Sequence, residues 1–364
     1  MNKVEYKDLI AFHPGYYLAD IIEEMGITQQ EFAHRLGTTG KNLSDLLRGK
    51  IRLSDEIALK LSLMLGTSTD LWLNLQKTYT EKTLEIERNI RIDQETRLLQ
   101  QLDYGFFYSL NLVPEAKKDD EKVEELLKYL NVSSFNVLKE TGFLINYRTS
   151  VSRVEEKNIV NSNAWVLTAL NMGRSIKTDP LDLKRLKGFL PEIRSMTRQH
   201  PEENEERLVN LFSSCGVAFV LLPHLKNSGI NGAVKWISKQ KVILAINDRR
   251  KYADSFWFSL FHEIGHVFQQ KATMLIVNRD IDEMDETNKK LERMADDFAQ
   301  NALIPKEEYD KFLKGEDYSE YAILSFSDKI SIHPGIVVGR MQRDGYLEYN
   351  SGLNSLKEKY IIGR

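Results

Sequence analysis

Phe261-His262-Glu263-Ile264-Gly265-His266-Val267-Phe268 sets two histidines four residues apart, with a glutamate directly after the first. On an α-helix, residues four apart stack on one face, so both imidazoles can reach a single ion. Glu263 then stands where a carboxylate can act as general base on a hydrolytic water. A zinc centre of this kind needs a third protein ligand and one position left open. The candidate third ligand is Glu292, in Leu291-Glu292-Arg293-Met294-Ala295-Asp296-Asp297-Phe298-Ala299. Ala295, Phe298 and Ala299 form an inner stripe suited to lie against the motif helix. Glu292 and Asp296, one turn apart, can then face the ion, one to bind it and one to hold the outer nitrogen of a ligating imidazole. Asp282, Glu283, Asp285 and Glu286 are nearer in sequence, but their acidic stretch reads as a solvated loop, and a rigid site prefers ligands on packed helices. The bland alternative is a pair of helix-face histidines over a core, which leaves the intervening glutamate idle.

Outward from the motif the apolar period changes. Residues 217–222, 233–237 and 241–246 are short β-rich runs, the last two separated by Ser238-Lys239-Gln240 as in a hairpin. A long helix is expected from about Tyr252, and helical patterns dominate from there on. The last third therefore reads as α+β and everything before 206 as helical. Residues 78–103 read as one long charged helix, and 104–205 as mostly helical with breakers near Pro114, Gly142 and Pro180. That middle stretch, with Trp165 and the basic run 184–187, carries no nameable chemistry; a scaffold, sensor or partner-binding role is equally open.

A tetrahedral oxyanion needs a donor beyond the metal, and His333, His224, Tyr309, Tyr318 and Tyr321 are the candidates. His333 stands at a helix start, where capping is the simpler role. The run 233–237 or its neighbour is expected to take an extended substrate as an added strand. His-Pro-Gly also occurs at 13–15, again before a helical pattern, and proline near a first turn explains both copies.

At 364 residues the chain is long enough for two or three domains. Its 42% apolar and 28% charged residues exclude wholesale disorder. The apolar runs fall far short of the roughly 20 residues a membrane helix needs. Charges in residues 1–8 stand where a secretory apolar core would be, so no signal peptide is expected. One cysteine, Cys215, excludes an internal disulfide and a thiolate-rich zinc finger, and fits a reducing cytoplasm. It reads as a buried small hydrophobe. A net charge of -3 gives no case for nucleic acid over the whole chain, so that case must come from a local patch.

The patch lies near the N-terminus. Thr28 with Glu31 makes a capping-box pattern for a helix that buries Phe32, Ala33 and Leu36 and stops at Gly37. A second short helix opens at Thr39, buries Leu43, Leu46 and Leu47, and ends at Gly49. Ser54 caps a third over Ile57, Leu61 and Leu65. Two short helices joined by a tight glycine turn, the second with polar residues near its start, suit a major-groove reader. Between 35 and 52, Arg35, Lys41, Arg48, Lys50 and Arg52 face only Asp45. A solvated face is the usual meaning of such a run; the helix spacing reverses that preference.

Residues 10–80 resemble the lambda-repressor-type helix-turn-helix of the Xre family, and the flanks His13-Pro14-Gly15 and Leu65-Gly66-Thr67-Ser68-Thr69-Asp70-Leu71-Trp72 are similar to its HigA antitoxin branch. The resemblance implies operator DNA binding as a homodimer, with Gln29 and Thr39 near phosphates and Lys41 and Asn42 near base edges; the charge run adds Arg48 and Lys50. Residues 206–305 resemble the ImmA/IrrE metallopeptidases through the strand pair, 262–266, and the Glu-x-x-Ala-x-x-Phe-Ala stretch from Glu292 that ends at Ile304-Pro305. That resemblance places Zn2+ on His262, His266 and Glu292, with Glu263 as base; Asp296 and His333 stay supporting candidates from the residues alone.

The whole reads as a multidomain cytoplasmic regulator. An all-α helix-turn-helix domain is expected at 1–77 and a helical linker or middle segment at 78–205. An α+β zincin-like metallopeptidase domain with a helical tail follows at 206–364. The expected activity is zinc-dependent cleavage of a toxin, a repressor or the chain itself, with no membrane partner. The rivals are a non-catalytic antitoxin or repressor with a structural or vestigial metal site, and a toxin-neutralising binder that grips its partner through 104–205.

Overall fold

A computed structural model describes residues 2–140, 155–270, 275–279 and 286–362. Its contacts divide the chain into two units, 1–97 with 118–124, and 98–117 with 125–364.

The first unit opens with an unforeseen antiparallel hairpin, β1 (Lys3–Tyr6) against β2 (Leu9–Phe12), turned at Lys7 with φ 52°. Five helices follow: α1 (Pro14–Glu24), α2 (Gln29–Arg35), α3 (Gly40–Leu47), α4 (Asp55–Leu65) and α5 (Thr69–Leu99). A polar side chain closes the start of each of the first four. His13 Nδ1, Thr28 Oγ1, Thr39 Oγ1 and Ser54 Oγ accept from Gly15, Glu31, Asn42 and Ile57 amides respectively. Only half of the expected capping box forms, because the Glu31 carboxylate pairs with Arg35.

Gly37, at φ 66°, makes the left-handed turn between α2 and α3. Gly15 lets α1 meet α3, since any Cβ there would strike the Leu46 carbonyl. Leu18, Phe32, Leu43, Leu46, Leu61 and Trp72 fill the core. The helix expected over 78–103 begins at Thr69 and ends at Leu99. The Ser68 hydroxyl accepts from the Leu71 amide, and no glycine or proline interrupts the 31 residues that follow.

In the second unit α6 (Tyr104–Ser109), α7 (Asp119–Leu130, whose start belongs to the first unit), α8 (Glu156–Ser175), α9 (Leu183–Ser195) and α10 (Pro201–Ser213) precede a four-stranded sheet. Gly142, expected as a breaker, lies outside the described residues. The strands are β3 (Val217–Leu221), β4 (Ile230–Ser238), β5 (Lys241–Ile246) and β6 (Leu275–Arg279), in the order β3-β5-β4-β6. β3 and β5 run parallel; β4 is antiparallel to both its neighbours. The helices α11 (Ala253–Phe268), α12 (Glu286–Leu303), α13 (Lys306–Leu313), α14 (Glu320–Lys329) and α15 (Pro334–Arg343) complete the unit.

The unbroken apolar runs of β3 and β5 follow from burial on both faces. Val242, Leu244 and Ile246 join a core with Phe256, Trp257 and Phe261 of α11. Ile243 points the other way, to Gly173 of α8, where a Cβ would come within 2.6 Å of it. Thus α8, in the stretch without chemistry, is half of the sheet's cover. β4 is paired with β5 on one side and, over 230–235, with β6 on the other, so of the two strands expected to take a substrate strand it is the neighbour, β6, that lies at an edge. Among the described strands the sheet's edges are β3 and β6.

Candidate metal centre and nucleic-acid interface

α11 carries both histidines, and its packing against α12 decides what they meet. Gly265, inside the motif, brings the helices together: a Cβ there would lie 3.1 Å from Ala295 Cα and 3.3 Å from a Phe298 ring carbon. Ala295 and Ala299 are fully buried in that seam. One turn before Ala295, the Glu292 side chain then reaches back to the motif.

His262 Nε2 and His266 Nε2 face each other at 3.0 Å. Glu292 Oε2 lies 3.1 Å from the first and Oε1 3.4 Å from the second. The outer nitrogens have separate partners. His262 Nδ1 is 2.9 Å from Asp296 Oδ1, and His266 Nδ1 is 3.0 Å from Gln269 Oε1, whose amide end donates to the Leu291 carbonyl. Both outer acceptors draw a ring proton to Nδ1 and turn the Nε2 lone pairs inward. Two lone pairs so close repel unless a proton or a cation lies between them. Of the described residues, His262, His266 and Glu292 form the group able to hold a metal ion.

Electrostatics agree with that geometry. Burial opposes charge on His262, but its hydrogen bonds to the carboxylates of Asp296 and Glu292 outweigh it and push the imidazole up to about 10. Burial is likewise overcome at Glu292, which the two imidazoles pull down to about 2. His266 also moves up, Glu292 and Glu263 outweighing its burial. Asp296 falls below the usual carboxylate range because His262 and Arg343 outweigh desolvation; Arg343 reaches it at 2.5 Å. Glu263 is fully buried, and its carboxylate occupies the space a side chain on Gly232 of β4 would need.

A cavity of about 950 Å³ opens onto His262 and Glu292. His333 does not line it; its Nδ1 accepts the Gly335 amide at 3.2 Å, capping α15, and its Nε2 faces Glu358 at 3.4 Å. His224, Tyr309, Tyr318 and Tyr321 are also off the lining, whereas Tyr252 and Tyr349 are on it. Asp282, Glu283 and Asp285 lie outside the described residues, and Glu286 begins α12 instead of closing a loop.

On the first unit, Gln29 starts α2 and Thr39 caps α3, both exposed. Lys41 is exposed in the first turn of α3. Asn42 is half-buried and donates to Thr38 Oγ1 at 2.8 Å, so part of its amide is already engaged. Arg48 and Lys50 are exposed where α3 ends, Lys50 lying 3.9 Å from Asp45.

Residues 18–72 match the helix-turn-helix family, and residues 219–328 match the IrrE N-terminal-like domain. The chain is 35% identical over 83 residues to YddM of Escherichia coli strain K12, described as an uncharacterised HTH-type transcriptional regulator; the match covers 22% of this chain and 88% of that protein. The chain belongs to the helix-turn-helix regulators and carries an IrrE-like domain toward its C-terminus. Antitoxin HigA-1 of Vibrio cholerae is 35% identical over 57 residues, 16% of this chain and 53% of the antitoxin. A solved addiction module antidote protein of a HigA family from Coxiella burnetii is 27% identical over 23% of this chain and 94% of that one, with a TM-score of 0.22.

The IrrE-like match runs from β3 to α14 and includes all three clustered residues, His262, His266 and Glu292. Sequence reasoning missed Gln269 as the partner of His266, and Arg343 behind Asp296. Gln269 was legible in principle, three residues after the second histidine and so on the same helix face. Arg343 lies 47 residues from Asp296 and had no local signal. No described helix is long and apolar enough to cross a membrane.

Proposed function

We propose that this helix-turn-helix regulator carries a zinc-dependent endopeptidase that cleaves a regulatory protein: a toxin, a repressor or the chain itself. The observation that carries the reading is the convergence of His262 Nε2, His266 Nε2 and Glu292 beside a buried Glu263. Tetrahedral zinc with bonds of about 2.0–2.1 Å sets its ligand atoms roughly 3.3 Å apart. The donor spacings here, 3.0, 3.1 and 3.4 Å, fit that sphere. Two imidazoles and one carboxylate also serve iron(II); the His-Glu-x-x-His helix, with Glu263 beside the cluster as base and a carboxylate from a second helix, is the arrangement that favours zinc.

Zinc bound there supplies Lewis acidity toward a scissile carbonyl and a hydrolytic water. The chain's own groups do the rest. Asp296 holds the Nδ1 proton of His262, and Gln269 that of His266, so each ring keeps its Nε2 aimed at the ligand position. Glu263 takes the proton of the attacking water and delivers it to the leaving amine nitrogen. The two glutamates thus divide their roles: Glu292 faces the imidazole nitrogens, while Glu263 sits against Gly232 on the β4 side.

On the first unit, operator DNA is read by α3 in a homodimer, with Gln29 and Thr39 at phosphates and Lys41 and Asn42 at base edges. Lys41 and Arg48 on its exposed side supply charge for backbone contacts. The named relatives, a transcriptional regulator and an antitoxin, support a DNA-binding regulator.

Glu263→Gln tests the reading. The variant is expected to keep zinc and operator DNA and to lose cleavage of the partner, together with any induction that depends on it. Wild-type regulation by that variant in cells would leave a non-catalytic regulator with a structural metal.

A further inference from the structure

Resting on the endopeptidase reading, we propose that the cavity beside the metal cluster is a subsite for an acidic segment of the substrate chain. Among the described residues its lining holds six basic side chains, Arg250, Lys289, Arg293, Arg340, Arg343 and Lys357, against three acidic ones, Asp254, Glu292 and Asp296. The acids are committed. Glu292 lies between the imidazoles, Asp296 accepts from His262 and Arg343, and Asp254 pairs with Lys357 at 2.8 Å. A metal ion in the cluster adds to the positive side.

Two of the arginines already hold carboxylates, Arg340 that of Asp344 at 2.6 Å and Arg343 that of Asp296 at 2.5 Å. Arg293 follows Glu292 directly and is exposed at the rim. Arg340 and Arg343, one turn apart on α15, stack on Tyr309 and Phe258 at 4.9 and 4.4 Å. Aromatic faces and these ion pairs fix both guanidinium planes, so an incoming carboxylate meets positive groups that binding need not order. A concave, low-dielectric wall with an excess of positive charge also concentrates anions in front of it.

Peptide fits better than nucleic acid. Phe258, Leu303, Ile304 and Ile336 give the same wall an apolar part for side-chain stems. About 950 Å³ is the scale of a pocket for a compact ligand, room for a few extended residues and not for a duplex.

The probe is a set of fluorescent peptides of one length, rich in Asp/Glu, in Gln/Ser or in Lys, with an oligothymidylate of matching charge. Each is titrated by anisotropy into zinc-loaded, full-length Glu263→Gln protein. The acidic peptide is expected to bind about tenfold more tightly than the neutral one, an advantage that shrinks between about 50 and 300 mM salt. Arg293→Gln with Arg340→Gln on that background removes most of the advantage and leaves zinc content unchanged; Lys41→Gln on α3 leaves the advantage intact. Equal binding of acidic and neutral peptides overturns the subsite. So does an advantage lost in Lys41→Gln and kept in the double variant, or an oligothymidylate that competes as strongly at the arginines. Cleavage is read separately, by wild type on a proteome-derived peptide mixture. Hydrolysis without acidic enrichment around the cut sites overturns the subsite alone. Acidic binding with no hydrolysis of any peptide overturns the endopeptidase and leaves the subsite standing.

Discussion

Asp296 shows how one side chain acts through another. It accepts from His262 Nδ1 and is itself held by Arg343, so it fixes the direction of an Nε2 it does not touch. Asp296→Asn keeps the volume and loses the charge. Zinc affinity, read by chelator competition, is expected to fall about 10–100-fold, while Glu292→Ala, which removes a donor atom, falls further. Equal affinity of Asp296→Asn and wild type would show that the imidazole needs no such support. The proton balance gives a second prediction. The metal-free protein raises His262 to about 10, so the stabilisation from its protonated form is complete below about 6.5 and is lost as pH climbs toward 10. Zinc must displace that shared proton. Apparent zinc affinity is therefore expected to rise about tenfold per pH unit below pH 10, with one proton released per metal in a weakly buffered titration, and more steeply, with a second proton released, where His266 is protonated as well. A pH-independent affinity would mean that the cluster holds no proton for zinc to expel.

At the scale of elements, two glycines place the chemistry. Gly265 lets α12 approach α11 so that Glu292 arrives at the histidines, and Gly232 leaves room on β4 for the Glu263 carboxylate. Gly232→Ala puts a methyl group where that carboxylate stands and forces it to move, with the three ligands untouched. The expected outcome is retained zinc with kcat lowered on the order of 100-fold, the scale of a 1 Å misplacement, measured on any peptide the wild type cleaves. Lost zinc would show instead that β4 supports the ligands themselves.

Legibility follows the same geometry. The pairing of His262 with His266 and the caps at Thr28, Thr39 and Ser54 involve residues two to four apart, which a helix or turn brings together by itself, so they could be read directly. The Ala295 stripe was legible as a face and needed only a partner. The α8 cover of the sheet, the edge position of β6 and the arginines of α15 are fixed by contacts tens of residues apart, where periodicity says that a face is buried but not against what. The hairpin of β1 and β2 was missed for another reason: four-residue strands are too short for alternation to stand out from a charged leader.

For the whole molecule, the question is whether metal and operator are felt by the same folding unit. His262, His266 and Glu292 all lie in the second unit, and the core around Leu18, Phe32 and Trp72 in the first contains none of their neighbours. A ligand stabilises what it binds in proportion to its saturation, by about 4 kcal/mol at a thousand times its dissociation constant. Spread over a unit of 260 residues, that is a rise on the order of 10 °C in one melting transition. Calorimetry of the full chain is therefore expected to show two transitions, with chelation lowering one by roughly that amount and leaving the other in place. Operator affinity, measured in parallel at fixed salt, should be the same with and without zinc, because the α3 surface belongs to the unit that chelation spares. Regulation would then have to pass through cleavage and not through metal occupancy, so chelator and Glu263→Gln should leave the operator equally occupied in cells. One shared transition that shifts as a whole, or operator affinity that follows zinc, would show that the units fold as one body and that the metal itself is the signal.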